Sequence, residues 1–174
     1  YRVAVSDNPR NPRGAQLHVL SRNDSGNYVL SSDTLKQNLA KYLNQFRLVS
    51  DAIDILDGAI INIGLDYAVT IEKGYRQEVV ISSISSKLEQ YFDSRNFQIN
   101  KPIIIGEVEN LILNVPGVMS VISLNMVGLS GIHDNRLYGD QKINVKQNLD
   151  RGMLFPPIGG IFEVKFPSDD IKGR

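Results

Sequence analysis

The chain has 174 residues, 42% hydrophobic and 22% charged, enough for one globular domain with a packed core. Its 19 basic residues match its 19 acidic ones, so no net field draws it to nucleic acid or an anionic membrane. The absence of cysteine excludes disulfides, thiolate nucleophiles and Cys-based zinc sites.

The opening YRVAVSDNPR has neither an initiator Met nor a signal-peptide pattern, so the chain reads as a fragment of a longer one. No later run approaches the roughly 18 apolar residues of a membrane span. Residues 6–15, SDNPRNPRGA, are polar and broken by prolines, which predicts a loop. QLHVL at 16–20 and NYVL at 27–30 are short strand candidates, and SRNDSG between them carries turn chemistry, so a hairpin is expected.

Residues 31–46 follow as an amphipathic helix: Leu35, Leu39, Tyr42, Leu43 and Phe46 recur at helical spacing, and Ser32 or Asp33 suits the N-cap. DAIDIL at 51–56 leads into, or pairs with, a sheet. The stretch 59–72 alternates, with Ala59, Ile61, Ile63, Leu65, Tyr67, Val69 and Ile71 on one side of a long strand. A second helix spans 76–95, with Val80, Ile84, Leu88, Tyr91 and Phe92 as its stripe and no clean capping box. In NKPIIIGEVENLILNVPGVMSV, 100–121, PIII reads as a short buried strand or extended entry. Gly106 is the expected N-cap of a short helix, with Val108, Leu111, Ile112 and Val115 inward. Pro116 and Gly117 end that helix, and 118–127 is the next strand.

Residues 128–160 have little periodicity, and structureless stretches beyond roughly 12–15 residues are usually functional or disordered. They read as an extended arm bearing Ile132, Leu137, Tyr138, Met153, Leu154 and Phe155. These residues either fold back on the core or dock on a neighbouring subunit. IFEVKF at 161–166 is a closing strand, and SDDIKGR a solvated tail.

Candidate chemistry is thin. Asp51, Asp54 and Asp57 invite a metal, but in an extended segment they cannot all converge. His18 and His133 lack an acid or nucleophile at a recognisable spacing; His18 fits a strand face and His133 the long loop. PPIGG at 156–160 lacks the end of a phosphate loop and reads as a turn. The serines of SSISS at 82–86 fit a helix, solvated or bonded to the preceding turn. Arg10, Arg13 and Arg22 form a thin basic cluster without interleaved aromatics.

Over residues 30–127 the order of elements resembles the C-terminal part of the baseplate J-like family, and more closely its wedge-forming members in contractile-tailed phages. The likeness is carried by TLKQNLAKYLNQFRLVSDAIDILDGAIINIGLDYAVTI (a helix, an Arg-centred turn and a long alternating strand), then GYRQEVVISSISSKLEQYF and IGEVENLILNVPGVMSV. IFEVKFPSDDIKG resembles the chain end of the tailed-phage form. The resemblance implies a structural, non-catalytic virion protein of the tail baseplate, assembled in the host cytoplasm. It implies a homodimer that meets other wedge proteins and links wedges into a ring around the hub. It implies no cofactor, small-molecule substrate, nucleic acid or membrane.

The expected architecture is α+β: a small mixed or antiparallel sheet with helices packed on one face, plus an extended C-terminal arm. The expected division is a hairpin segment at 1–30, a compact core at 31–127, and an arm, final strand and tail at 128–174. The competing expectation is a ligand-binding regulatory α+β module. A third is the equivalent subunit of a bacterial contractile injection system.

Overall fold

The computed structural model describes residues 1–46 and 52–174. Asp51 and the Arg-centred turn at Arg47 lie outside the described residues. The first sheet gathers β1 (Arg2–Asp7), β2 (Gly14–Arg22), β3 (Tyr28–Leu30) and β4 (Ala52–Asp57). β2 is its centre, since Leu17 lies opposite both Val5 and Ile55, and Leu20 opposite both Arg2 and Leu30. β1 therefore takes one edge, while β3 and the parallel β4 share the other. The expected hairpin of β2 and β3 is present. The expected loop at 6–15 is shorter, because β1 runs to Asp7 and β2 begins at Gly14.

Between β3 and β4 stands α1 (Asp33–Leu43), capped by the Ser32 side chain, which accepts the Leu35 N–H. Its stripe is present, but none of its residues is buried, and Tyr42 and Phe46 are exposed. This corrects the expectation that α1 helps form the core: spacing reports amphipathicity, while coverage depends on a neighbour.

The second sheet is built on β5 (Ala59–Ile71). Its odd-numbered residues Ile61, Ile63, Leu65, Tyr67 and Val69 are buried in the main core. Above them lies α2 (Gln77–Tyr91), whose Val80, Ile84 and Leu88 are buried as the spacing predicts. Each such side chain contributes roughly 1.5–3 kcal/mol on burial. The Tyr67 hydroxyl reaches Ile81 O at 3.3 Å and Ser85 Oγ at 3.2 Å on that helix. Ser83 bonds back to Val79 O at 2.8 Å, so these serines have the helical role expected of them.

β6 (Ile103–Ile104) leads directly into α3 (Ile105–Leu113). Ile104 is the N-cap and Gly106 lies inside the first turn, which corrects the expected cap by two positions. Val108 and Ile112 are buried. β7 (Val118–Leu129) then returns antiparallel to β5. Two register shifts in that pair leave Ile122 and Met119 as extra residues: Ala68 and Val69 face Ser123 and Val121, and Thr70 and Ile71 face Ser120 and Val118.

The segment after β7 carries only short elements: β8 (Ile132–His133), β9 (Arg136–Leu137), α4 (Val145–Asn148), β10 (Leu149–Asp150) and β11 (Met153–Leu154). β11 pairs with β6. β12 (Gly160–Glu163) and β13 (Ile171–Gly173), separated by α5 (Pro167–Asp170), both run parallel to β5 along the edge away from β7. The final strand is thus split, and the expected solvated tail is part of the sheet. Arg174 N–H donates to Tyr67 O at 3.0 Å, and Val69 N–H to Arg174 O at 3.1 Å. Gly173 lies against the Tyr67 ring, where an added Cβ would come within 2.3 Å of Cζ.

The architecture is α+β, with small mixed sheets, and helices α2 and α3 packed over one face of the second. The second face of β5 is partly buried as well: Asn62, Gly64 and Ala68 are covered, while Asp66 between them is exposed. Asn62 is covered by Gly139 and Glu163, and Gly64 by Val127, Leu129 and the Asp170 carbonyl.

Candidate subunit-contact surface

Asp134 and Asn135 have φ of 48° and 60°, the left-handed pair that a tight two-residue hairpin turn requires. The turn sets Ile132 directly opposite Leu137. Both side chains face solvent, 79% and 64% exposed. An apolar cross-strand pair therefore stands at the tip of a short prong.

The root of the prong is tied down. Gly131 N–H donates to Gly139 O at 3.1 Å, and Tyr138 N–H to Gly131 O at 2.8 Å. The buried Tyr138 hydroxyl donates to Asp170 Oδ1 at 2.5 Å, and Asp170 Oδ2 accepts the Phe166 N–H at 2.8 Å. Burial, then the Asp170 carboxylate, push the Tyr138 hydroxyl above its usual range, so it stays protonated as a donor. Arg136 stacks 4.7 Å over the Phe166 ring and pairs with Asp169 at 2.5 Å. Lys165 Nζ donates to Leu137 O at 2.7 Å.

Beneath this lies a buried polar chain. Glu163 is only 3% exposed. Its Oε1 accepts the Tyr28 N–H at 2.6 Å and its Oε2 accepts Asn62 Nδ2 at 2.8 Å. Asn62 Oδ1 in turn accepts the Gly139 N–H at 2.7 Å. The chain links β3, β12 and β5 to the prong's root. Burial raises the Glu163 carboxyl above its ordinary value, against the opposing pull of these two donors and of Lys165 and Arg22. Sequence reasoning passed over Glu163 and Asn62. The available signal was an acid in the middle of the apolar run IFEVKF.

A cleft of about 540 Å³ separates the prong from β5, lined by Asp66, His133, Asp134, Asp169, Asp170 and Lys172 among others. Most of its acids are held by a partner: Asp134 pairs with Lys172 at 3.3 Å, Asp169 with Arg136 at 2.5 Å, and Asp170 accepts the Tyr138 hydroxyl. Among the described residues no three His, Asp or Glu side chains converge on a metal position. Asp54 instead accepts Asn8 Nδ2 at 2.6 Å, and Asp57 pairs with Lys36 at 2.9 Å. His18 sits buried in β2, 3.1 Å from Ser6 Oγ, and its ring packs on Gly159. Of the basic cluster, Arg22 lies in β2, its Nε donating to Gly26 O at 3.0 Å. In PPIGG, Gly160 N–H closes a turn on Pro157 O at 2.7 Å before β12.

The other candidate contact residues divide. Leu154 and Tyr138 belong to the chain's own interior, and Met153 is half-buried on β11. Phe155 keeps part of its ring in solvent. Ile132, Leu137 and Phe155 are thus exposed, Tyr138 anchors the root of the prong, and Leu154 packs in the core beside β6.

Residues 61–136 match the family model described as baseplate J-like protein C-terminal domain, so over that stretch the chain is similar to that family. That stretch runs from the buried half of β5 through α2, α3 and β7 to the prong. The fold is also similar, at a TM-score of 0.42 and 16% identity, to a chain in the cryo-EM structure of the anti-feeding prophage baseplate. The match covers 67% of this chain and 25% of that one, so this chain spans a quarter of its length. No curated protein matches.

Proposed function

We propose that this chain is a non-catalytic structural subunit of a baseplate wedge, which pairs with a second copy of itself and links wedges into a ring. The observation that carries this reading is the Ile132–Leu137 pair, exposed on a prong whose root is fixed by Tyr138, Asp170 and Arg136. Apolar side chains held rigidly in water lose little freedom when a partner covers them. The matched family supports the baseplate setting. A phage tail, built in the host cytoplasm, and a bacterial contractile injection device both fit that setting, and the partners proposed are another copy and neighbouring wedge proteins.

The test is the double variant Ile132→Ser, Leu137→Ser, compared with the wild type by light scattering over a concentration series. Association should weaken while the melting temperature is unchanged. Unaltered association would overturn the assignment of the prong. Deleting the whole arm is a poorer test, because Tyr138, Ile143 and Leu154 within it belong to the core.

A further inference from the structure

β7 pairs with β5 along one edge; beyond Val118, whose N–H donates to Val115 O at 3.1 Å, no other described strand pairs with its second edge. Such an edge invites another strand, and natural proteins usually blunt it with charge, proline or a cover. The strand Val118–Leu129, VMSVISLNMVGL, has neither a charged residue nor a proline. Among the other edge strands, β1 carries Arg2 and Asp7, β4 carries Asp54 and Asp57, and β13 carries Lys172; only the three-residue β3 is equally uncharged among those four. Moreover, the two extra residues of the β5–β7 pair are Met119 and Ile122, which stand 71% and 68% exposed. Asn125 and Val127 are exposed beyond them.

We propose that the open edge of β7 pairs antiparallel with the same edge of a second copy, joining the two second sheets into one across a twofold axis. The charge pattern selects this occupant. Around a twofold axis a strand meets its own side chains, and like charges directly opposite are destabilising. β7 brings none. A self-paired β7 edge is also consumed in both copies, so that edge recruits no further strand. Met119 and Ile122 then lose their exposure beside the new strand pair. The inference rests on the self-association proposed above and assigns it a surface distinct from the prong.

Amide exchange of the 174-residue chain, followed by mass spectrometry at low and high protein concentration, tests it. Peptides covering 118–129 should exchange more slowly at high concentration, and those of β1 should not change. The double variant Ile122→Lys, Asn125→Lys should weaken the dimer at least about tenfold through like-charge contact across the axis, with its melting temperature kept. Concentration-independent exchange in 118–129, a dimer indifferent to the lysines, or a monomer at every concentration would each overturn the proposal. If only Ile132→Ser, Leu137→Ser dissociates the dimer, self-association stands and the β7 edge falls. If only the lysines do, the edge stands and the prong falls.

Discussion

The chain contains two small hairpins of the same design with opposite fates. In β8–β9 the turn residues Asp134 and Asn135 both have positive φ; in β10–β11 Arg151 and Gly152 do, at 48° and 77°. Each turn sets an apolar pair directly across the strands, Ile132 with Leu137 and Leu149 with Leu154. Yet Leu154 is wholly buried, because β11 also pairs with β6, whereas Ile132 and Leu137 meet only water. Turn chemistry fixes the shape of a hairpin, and its surroundings decide whether it stabilises the fold or faces outward.

Truncation separates the two most sharply. Leu154→Ala should cost about 2–5 kcal/mol in urea unfolding, as buried leucines do. Leu137→Ala should stay within about 0.5 kcal/mol of the wild type, as surface substitutions do. Equal losses would mean that the prong is covered by its own chain. Next in size is the prong's footing. Glu163→Gln sets an amide N–H₂ against Asn62 Nδ2, which should cost about 1–3 kcal/mol for the unmatched donor. The same variant has a pH signature. Since the Glu163 carboxyl is raised in the folded state, the folded chain holds that proton more tightly than the unfolded one. Its contribution to stability is therefore greatest below the ordinary glutamate value and declines as pH rises through the raised one. Denaturation midpoints across that window should show this decline in the wild type and lose it in Glu163→Gln.

The smallest effect concerns the turns themselves. Arg151 pays the steric cost of a left-handed conformation that asparagine tolerates better. Arg151→Asn, which creates the favoured Asn-Gly turn, should raise stability by up to about 1 kcal/mol. Asn135→Ala should lower it by about 1 kcal/mol at the other hairpin. Thermal melts of both variants check the pair.

Much of the frame was legible in the residues. The alternation in β5 and the stripe of α2 each follow from one period and one face. The partners of β5 were less so. β12 and β13 lie far along the chain, and parallel pairing leaves no turn to announce it. In the final segment only Ile171 is a large apolar residue, too little to mark a strand. β1 was hidden similarly, since its residues are only half-buried or exposed. At the candidate surface, Ile132 and Leu137 stood out as apolar residues in a polar stretch. Their anchor did not, because the bond from Tyr138 to Asp170 spans 32 residues. The exposure of Met119 and Ile122 was equally hidden, because a bulge breaks the alternation from which facing is inferred.

The weaving of Ile171–Gly173 beside Leu65–Tyr67 sets an order on biosynthesis. A chain emerging from the ribosome has made β5 long before the strands that flank it on one side. Until residues 160–173 are made, that edge of β5 has only solvent or a chaperone for company. The sheet thus closes late, through contacts of long sequence separation, which predicts slow folding relative to helical proteins of this size.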